Sequence, residues 1–250
     1  MNEAYFNRYL LILLSILPFS FLIGPSISLT NILVFDISII YFFFIKKEWS
    51  WTNEITIKIF LLLYLYLIFN SLISINPMVG FQRNFGFIRL IVLFIGINYF
   101  FNKYKYSDKI FRFWSLIILL IVMDIFIELI FGSNIFGYGA NEDRVASFFD
   151  DELIVGGFVL SFFFITVGFY LNKLNNFNNL VKIILLIFLI IFFISIIFTG
   201  ERSNSIKAIL GLVILIFSYF KFNLKSLSVL IILFFIIIFT VNKNNYLKNR

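Results

Sequence analysis

The chain has 250 residues, 62% hydrophobic and only 13% charged, with no cysteine, no histidine and a formal net charge of +7. A soluble fold of this length carries roughly 25% charged residues to cover its surface, so the composition excludes one. The missing cysteines exclude disulfides and thiol chemistry, and the missing histidines remove the commonest general base and the commonest metal ligand.

What remains is a membrane protein. Crossing about 30 Å of hydrocarbon takes about 20 apolar residues as a helix. Lipid satisfies no backbone group, which leaves helices or closed barrels. Runs such as KIILLIFLIIFFISIIFTG lack the two-residue alternation of a barrel strand. The expected fold is therefore all-α: a polytopic transmembrane helical bundle of about nine spans, forming a single integral membrane domain over residues 1–250.

The first span is predicted at Tyr9–Ile23. It lacks a small-x-small cleavage site and leads into more apolar sequence, so it reads as a membrane helix and not a signal peptide. Gly24, Pro25 and Ser26 break the chain before the second span, Ile27–Ile45, which carries a lone Asp36. The third and fourth spans are placed at Ile55–Ile75 and Phe85–Phe101. On one continuous helix Arg89 would lie about 9 Å deeper than Arg83. An intramembrane arginine is costly unless it faces a wet cavity or a partner, whereas either residue can also snorkel to headgroups.

The fifth span, Phe111–Phe131, holds Asp124 and Glu128, four apart on one helix face. Two carboxylates there should face a polar interior, neutralising Arg89 or binding a substrate hydroxyl. An outer loop follows over 132–151. Gly132, Gly137 and Gly139 make its lead-in bendable, Arg144 stands between Asp143 and Asp150, and Phe148 and Phe149 point to a loop folded back on the bilayer surface. Asp151 and Glu152 open the sixth span, Glu152–Leu171, where carboxylates favour a helix N-terminus. The seventh span is predicted at Leu180–Thr199, followed by a tight turn with Glu201 and Arg202 that Ser203 or Asn204 can cap. Ser205–Phe220 and Leu224–Val241 complete the nine, and residues 242–250 are expected to begin a further outer loop.

Lysine and arginine accumulate on the cytoplasmic side, and a cytoplasmic N-terminus gives every inner segment a basic character. The inner set is Arg8, Lys46, Lys47, Lys58, Lys103, Lys105, Lys109, Arg112, Lys173, Lys182, Lys221 and Lys225. The outer set is only Arg83, Arg89, Arg144, Arg202 and Lys207. Lysine dominates inside and arginine outside. Arginine grips phosphate oxygens with a planar fork, whereas lysine is a hydrated point charge suited to orienting loops. Arg83, Arg89, Arg144 and Arg202, with Asp124 and Glu128 beneath them, are thus candidate substrate-binding residues. Together they suit a lipid-linked diphosphate sugar, with cations for the phosphates and acids for the sugar hydroxyls. Asp151, Glu152 and Glu201 are the weak candidates for a catalytic base. No metal site and no cofactor is expected.

DIFIELIFGSNIFGY followed by RVASFFDDELIVGGFV resembles a pattern in O-antigen ligase and O-antigen polymerase proteins. There an aspartate-bearing span leads to a G-x-N-x-F-G-Y turn and then to an arginine-led segment with D-E. FTGERSNSI is similar to the family's S-G-E-R-T/S signature, and FIRL fits an arginine often found in an earlier span. The resemblance covers roughly Gly80 to Leu210. It implies a metal-independent enzyme of the bacterial inner membrane acting at the periplasmic face. Its donor would be an undecaprenyl-diphosphate-linked glycan and its acceptor a glycan or lipid A-core, with membrane lipid around it and no nucleic acid. Arg144, Arg202 and Arg89 would hold the diphosphate or the growing chain, and Asp151, Glu152 and Glu201 would order the loops.

The family continues into a large periplasmic loop, often with a functional histidine, where this sequence ends in NKNNYLKNR. Either the chain is truncated or it is a short member. Ligase and polymerase share donor and topology, and these residues do not separate them. The alternative reading is a polysaccharide or small-solute transporter or flippase, using Asp124, Glu128 and Asp36 as coupling groups. That would favour inverted repeats, and the two halves show no convincing repeat.

Overall fold

The computed structural model describes residues 3–103, 107–139, 144–149, 154–173 and 177–220. Nine α-helices account for most of them: α1 Glu3–Ile23, α2 Pro25–Lys46, α3 Ile55–Leu72, α4 Pro77–Phe85, α5 Ile88–Lys103, α6 Ser107–Phe131, α7 Val155–Lys173, α8 Asn179–Phe198 and α9 Arg202–Phe220. No strand forms among the described residues, so the all-α expectation holds. Seven stretches are long and apolar enough to cross a membrane: Tyr5–Ile23, Pro25–Lys46, Ile55–Leu72, Pro77–Asn102, Ser107–Phe131, Val155–Lys173 and Asn179–Phe198. They match the first seven expected spans. The eighth is helical as α9 but stands outside this set, its first turns made polar by Arg202, Ser203, Asn204, Ser205 and Lys207. The ninth, Leu224–Val241, and the tail 242–250 lie outside the described residues.

The helix ends follow local chemistry. Pro25 opens α2 after Gly24, whose φ of 144° only glycine adopts easily. The Asn178 side chain caps α8 by accepting from the Val181 N–H at 2.9 Å. Pro77 opens α4, and the chain breaks again at Gly86 and Phe87 before α5 begins. Arg83 and Arg89 therefore do not share one helix. The constant rise assumed in comparing their depths is interrupted between them.

The described residues form two compact units, with the boundary between Trp114 and Ser115 inside α6. In the first unit α1 packs on α2, α2 on α5, and α3 on α4. Leu10, Leu14, Phe35 and Ile39 are among its most buried side chains. Polar groups tie helices together where lipid gives no hydrophobic drive. The Asn31 Nδ2 donates to the Leu13 carbonyl at 3.2 Å, the Asn84 Nδ2 to the Ser71 Oγ at 2.8 Å, and the Trp114 Nε1 to the Leu14 carbonyl at 2.8 Å. In the second unit α7, α8 and α9 pack on one another around Phe163, Phe192 and Phe193. Phe163 and Phe192 meet edge to face with centroids 5.0 Å apart.

The exposed face of α3 is apolar. Ile59, Leu62, Leu65, Tyr66 and Phe69 of α3 are each about 60% exposed or more. Soluble proteins rarely expose a patch of that extent, and lipid is the solvent that suits it. By its helices, the chain is a multi-pass membrane protein.

The α2–α5 packing depends on one small residue. A Cβ on Gly96 would stand 2.7 Å from Phe35 Cε1 and 3.2 Å from Ile39 Cγ1. Gly96→Val should therefore destabilise the detergent-solubilised protein by about 1–3 kcal/mol. A thermal melt indistinguishable from wild type would contradict the close approach.

Candidate functional site

A buried, fully bonded polar cluster sits where α6 ends. Asp124 and Glu128 are 0% and 2% exposed, one helical turn apart. Carboxylates buried to this degree are tolerated only when their oxygens find donors. All four oxygens do. Asp124 Oδ1 accepts from the Ile135 N–H at 3.0 Å and Oδ2 from the Ser147 hydroxyl at 2.6 Å. Glu128 Oε1 accepts from the Ala146 N–H at 3.2 Å and Oε2 from the Ser147 N–H at 2.7 Å. The two acids thus fasten both arms of the loop that follows α6 to the helix end.

Asn134 organises the first arm. Its Oδ1 accepts from the Phe136 and Tyr138 N–H groups at 3.0 and 2.8 Å, the turn chemistry for which asparagine is favoured. Its Nδ2 reaches across to the Ser147 carbonyl at 2.6 Å. Gly132 and Gly137 supply the left-handed corners, with φ of 78° and 84°. Ser147 is itself left-handed at φ 52°, a costly conformation outside glycine that persists only when its surroundings impose it. Here its N–H, hydroxyl and carbonyl are all bonded.

The loop reaches α7 next. Ser147–Phe149 form a 3-10 turn packed on α7, with the Phe149 ring 5.4 Å from that of Phe158. Phe149 is 8% exposed, so this ring turns into the protein and not onto a bilayer surface. Arg144, three residues before Ser147, remains exposed. Near it in sequence, Ile135, Phe136 and Tyr138 present an apolar surface.

The turn between α8 and α9 meets α7 at the same end. Glu201 Oε1 accepts from the Gly156 N–H at 2.7 Å, and its Oε2 accepts from the Asn204 Nδ2. The first N–H groups of a helix lack internal partners and carry partial positive charge, so a carboxylate here both caps and compensates. The Gly156–Gly157 pair makes the approach feasible. A Cβ on Gly156 would sit 2.5 Å from Thr199 Oγ1 and 2.9 Å from Glu201 Cδ, and one on Gly157 would sit 3.3 Å from Asn204 Nδ2. Arg202 begins α9 directly after this carboxylate and is exposed.

The first turns of α7 thus hold two separate loops, one carrying Arg144 and the other Arg202. Asp151 and Glu152 lie outside the described residues, as do Asp143 and Asp150. Arg83 and Arg89 belong to the first unit. Arg83 is exposed on α4. Arg89 is exposed on the first turn of α5, its Nη1 3.8 Å from where a Gly86 Cβ would stand. Within electrostatic reach of Arg89 is Asp36 of α2, 5% exposed, with no described hydrogen-bond donor on either carboxylate oxygen.

Sequence reasoning missed Asn134, Ser147 and the Gly156–Gly157 pair as parts of this site. The asparagine had a visible signal, since it lies between Gly132 and Gly137 in a turn-rich stretch. Ser147 had none. No family model, no curated protein and no solved structure matches this chain.

The staple can be tested by a double-mutant cycle on Asp124→Asn and Ser147→Ala. Each single change should cost about 1.5–3 kcal/mol, the usual scale for a hydrogen bond to a charged group. The double mutant should cost clearly less than the sum, because the two share one interaction. Strict additivity in thermal melts would show that the bond does not form.

Proposed function

We propose that this protein transfers or polymerises an undecaprenyl-diphosphate-linked glycan at the periplasmic face of the bacterial inner membrane, as an O-antigen ligase or polymerase does. In this reading the chain crosses nine times with its N-terminus in the cytoplasm, and the acceptor is a glycan or lipid A-core. The observation that carries the proposal is the joining of two loops to the start of α7. One brings Arg144 and the other Arg202, each exposed beside a well-ordered polar support.

The chemistry asked of them is electrostatic. Diphosphate leaves as the sugar bond breaks, and fixed guanidinium groups stabilise the charge that builds on it. Pre-ordering matters, since a donor held in place before reaction need not be reorganised during it. Asp124 and Glu128 serve by holding the Arg144 loop, with every oxygen already engaged. Glu201 serves the Arg202 turn in the same way, which leaves Asp151 and Glu152 as the stronger candidates to deprotonate the acceptor hydroxyl. In the transporter alternative, Asp124 and Glu128 would have to release their loop contacts at each coupling step.

Arg144→Lys and Arg202→Lys keep the charge and lose the fork. Each should lower glycan transfer by membranes about 10- to 100-fold, the equivalent of one charge-assisted hydrogen bond. Protein abundance and melting temperature should stay at wild-type values. Full transfer by both variants rules out forked phosphate contacts. Transfer that is lost with Asp124→Asn and also on collapse of the proton gradient favours the transporter.

A further inference from the structure

A cavity of about 310 Å³ lies beside the connection between α2 and α3, in the first unit. That is enough for a small polar group. The connection contributes Glu48, Trp51 and Glu54, and the last turns of α5 contribute Asn98, Tyr99 and Asn102. Two carboxylates, two carboxamides and two aromatic rings therefore share one wall, and no lysine or arginine is among the lining residues.

These groups are held in place. Glu54 Oε2 accepts from the Asn98 Nδ2 at 2.5 Å, and Asn98 Oδ1 accepts from the Asn102 Nδ2 at 3.1 Å. The Trp51 ring is 5.8 Å from that of Phe43 and 5.9 Å from that of Trp49, while Tyr99 stands edge-on to Phe43 at 5.0 Å. A half-buried cavity with two carboxylates in its wall repels anions and gains little from a neutral guest. A hard metal ion would want six or more oxygen ligands, which aromatic faces cannot supply. An organic ammonium uses every part of the wall. Ring faces attract its charge, and carboxylate and carboxamide oxygens accept the three N–H bonds of a primary amine.

We propose that this cavity binds a primary ammonium group, carried by an aminophospholipid headgroup or by a small soluble amine. Its position fits a headgroup. It lies at helix ends beside Trp49 and Trp51, the residues that favour the membrane–water boundary. Lys46 and Lys47 end α2 immediately before it and suit the phosphate of the same lipid.

The chain has only three tryptophans, and two of them, Trp49 and Trp51, stand at or beside the cavity. Fluorescence of the purified full chain in neutral detergent can therefore report binding. The probes are ethanolamine, short-chain phosphatidylethanolamine and short-chain phosphatidylglycerol, at matched ionic strength. A saturable change is expected with phosphatidylethanolamine or ethanolamine and not with phosphatidylglycerol. A response to the lipid alone assigns the site to a headgroup, and a response to ethanolamine, with or without the lipid, assigns it to the amine itself. Glu54→Gln keeps an acceptor for Asn98 and removes the charge, so it should weaken binding at least tenfold. Asn102→Lys, at an exposed position, places a like charge in the cavity and should do the same even if the first variant fails to fold. The absence of a saturable response to either amine, an equal response to phosphatidylglycerol, or wild-type affinity in either folded variant would overturn the proposal.

Discussion

Two buried carboxylates on one turn of α6 are the constraint from which one end of the second unit is built. An acid in an apolar helix is expensive because its oxygens have lost water. The chain offsets that cost by bringing loop N–H groups and one hydroxyl to all four oxygens of Asp124 and Glu128. The loop is thereby committed to one shape. Ser147 accepts a left-handed backbone because leaving it would break bonds to Asp124, Glu128 and Asn134 together. Networks of this kind rigidify when complete and are costly when one member is missing.

The start of α7 shows the complementary device. Where α6 brings acids to a loop, α7 brings bare backbone to an acid. Gly156 and Gly157 remove the side chains that would hold the α8–α9 turn away, and Glu201 then settles on the exposed N–H of Gly156. Gly96 plays a related part between α5 and α2 in the first unit. Small residues at contact points let helices approach closely where lipid provides no hydrophobic force to press them together. Glycine's conformational freedom matters less at these positions than its absence of volume.

The distribution of charge joins structure to function. Orienting a chain in a membrane needs only charge, which lysine supplies. Arg144 and Arg202 stand exposed, each next to a polar support that fixes its backbone. Arginine's fork has value only when its base is held in place, because a mobile loop would lose its geometric advantage as entropy. The supports around Ser147 and Glu201 provide that hold for the two arginines that the proposed function assigns to phosphate.

The sequence alone determined the class of protein and the first seven of its spans, because apolar length is a local property and the 30 Å of hydrocarbon acts as a fixed ruler. It also put Asp124 and Glu128 on one helix face, since a four-residue spacing in a helix leaves no choice. Partners were beyond it. Whether the two acids face a substrate, an arginine or a loop depends on where residues 11 to 23 positions away return in space. The same holds for Glu201 and Gly156, and for the acidic aromatic wall between Glu54 and Asn98. Only the tertiary structure decided these pairings, because a carboxylate's role is set by the donor that reaches it.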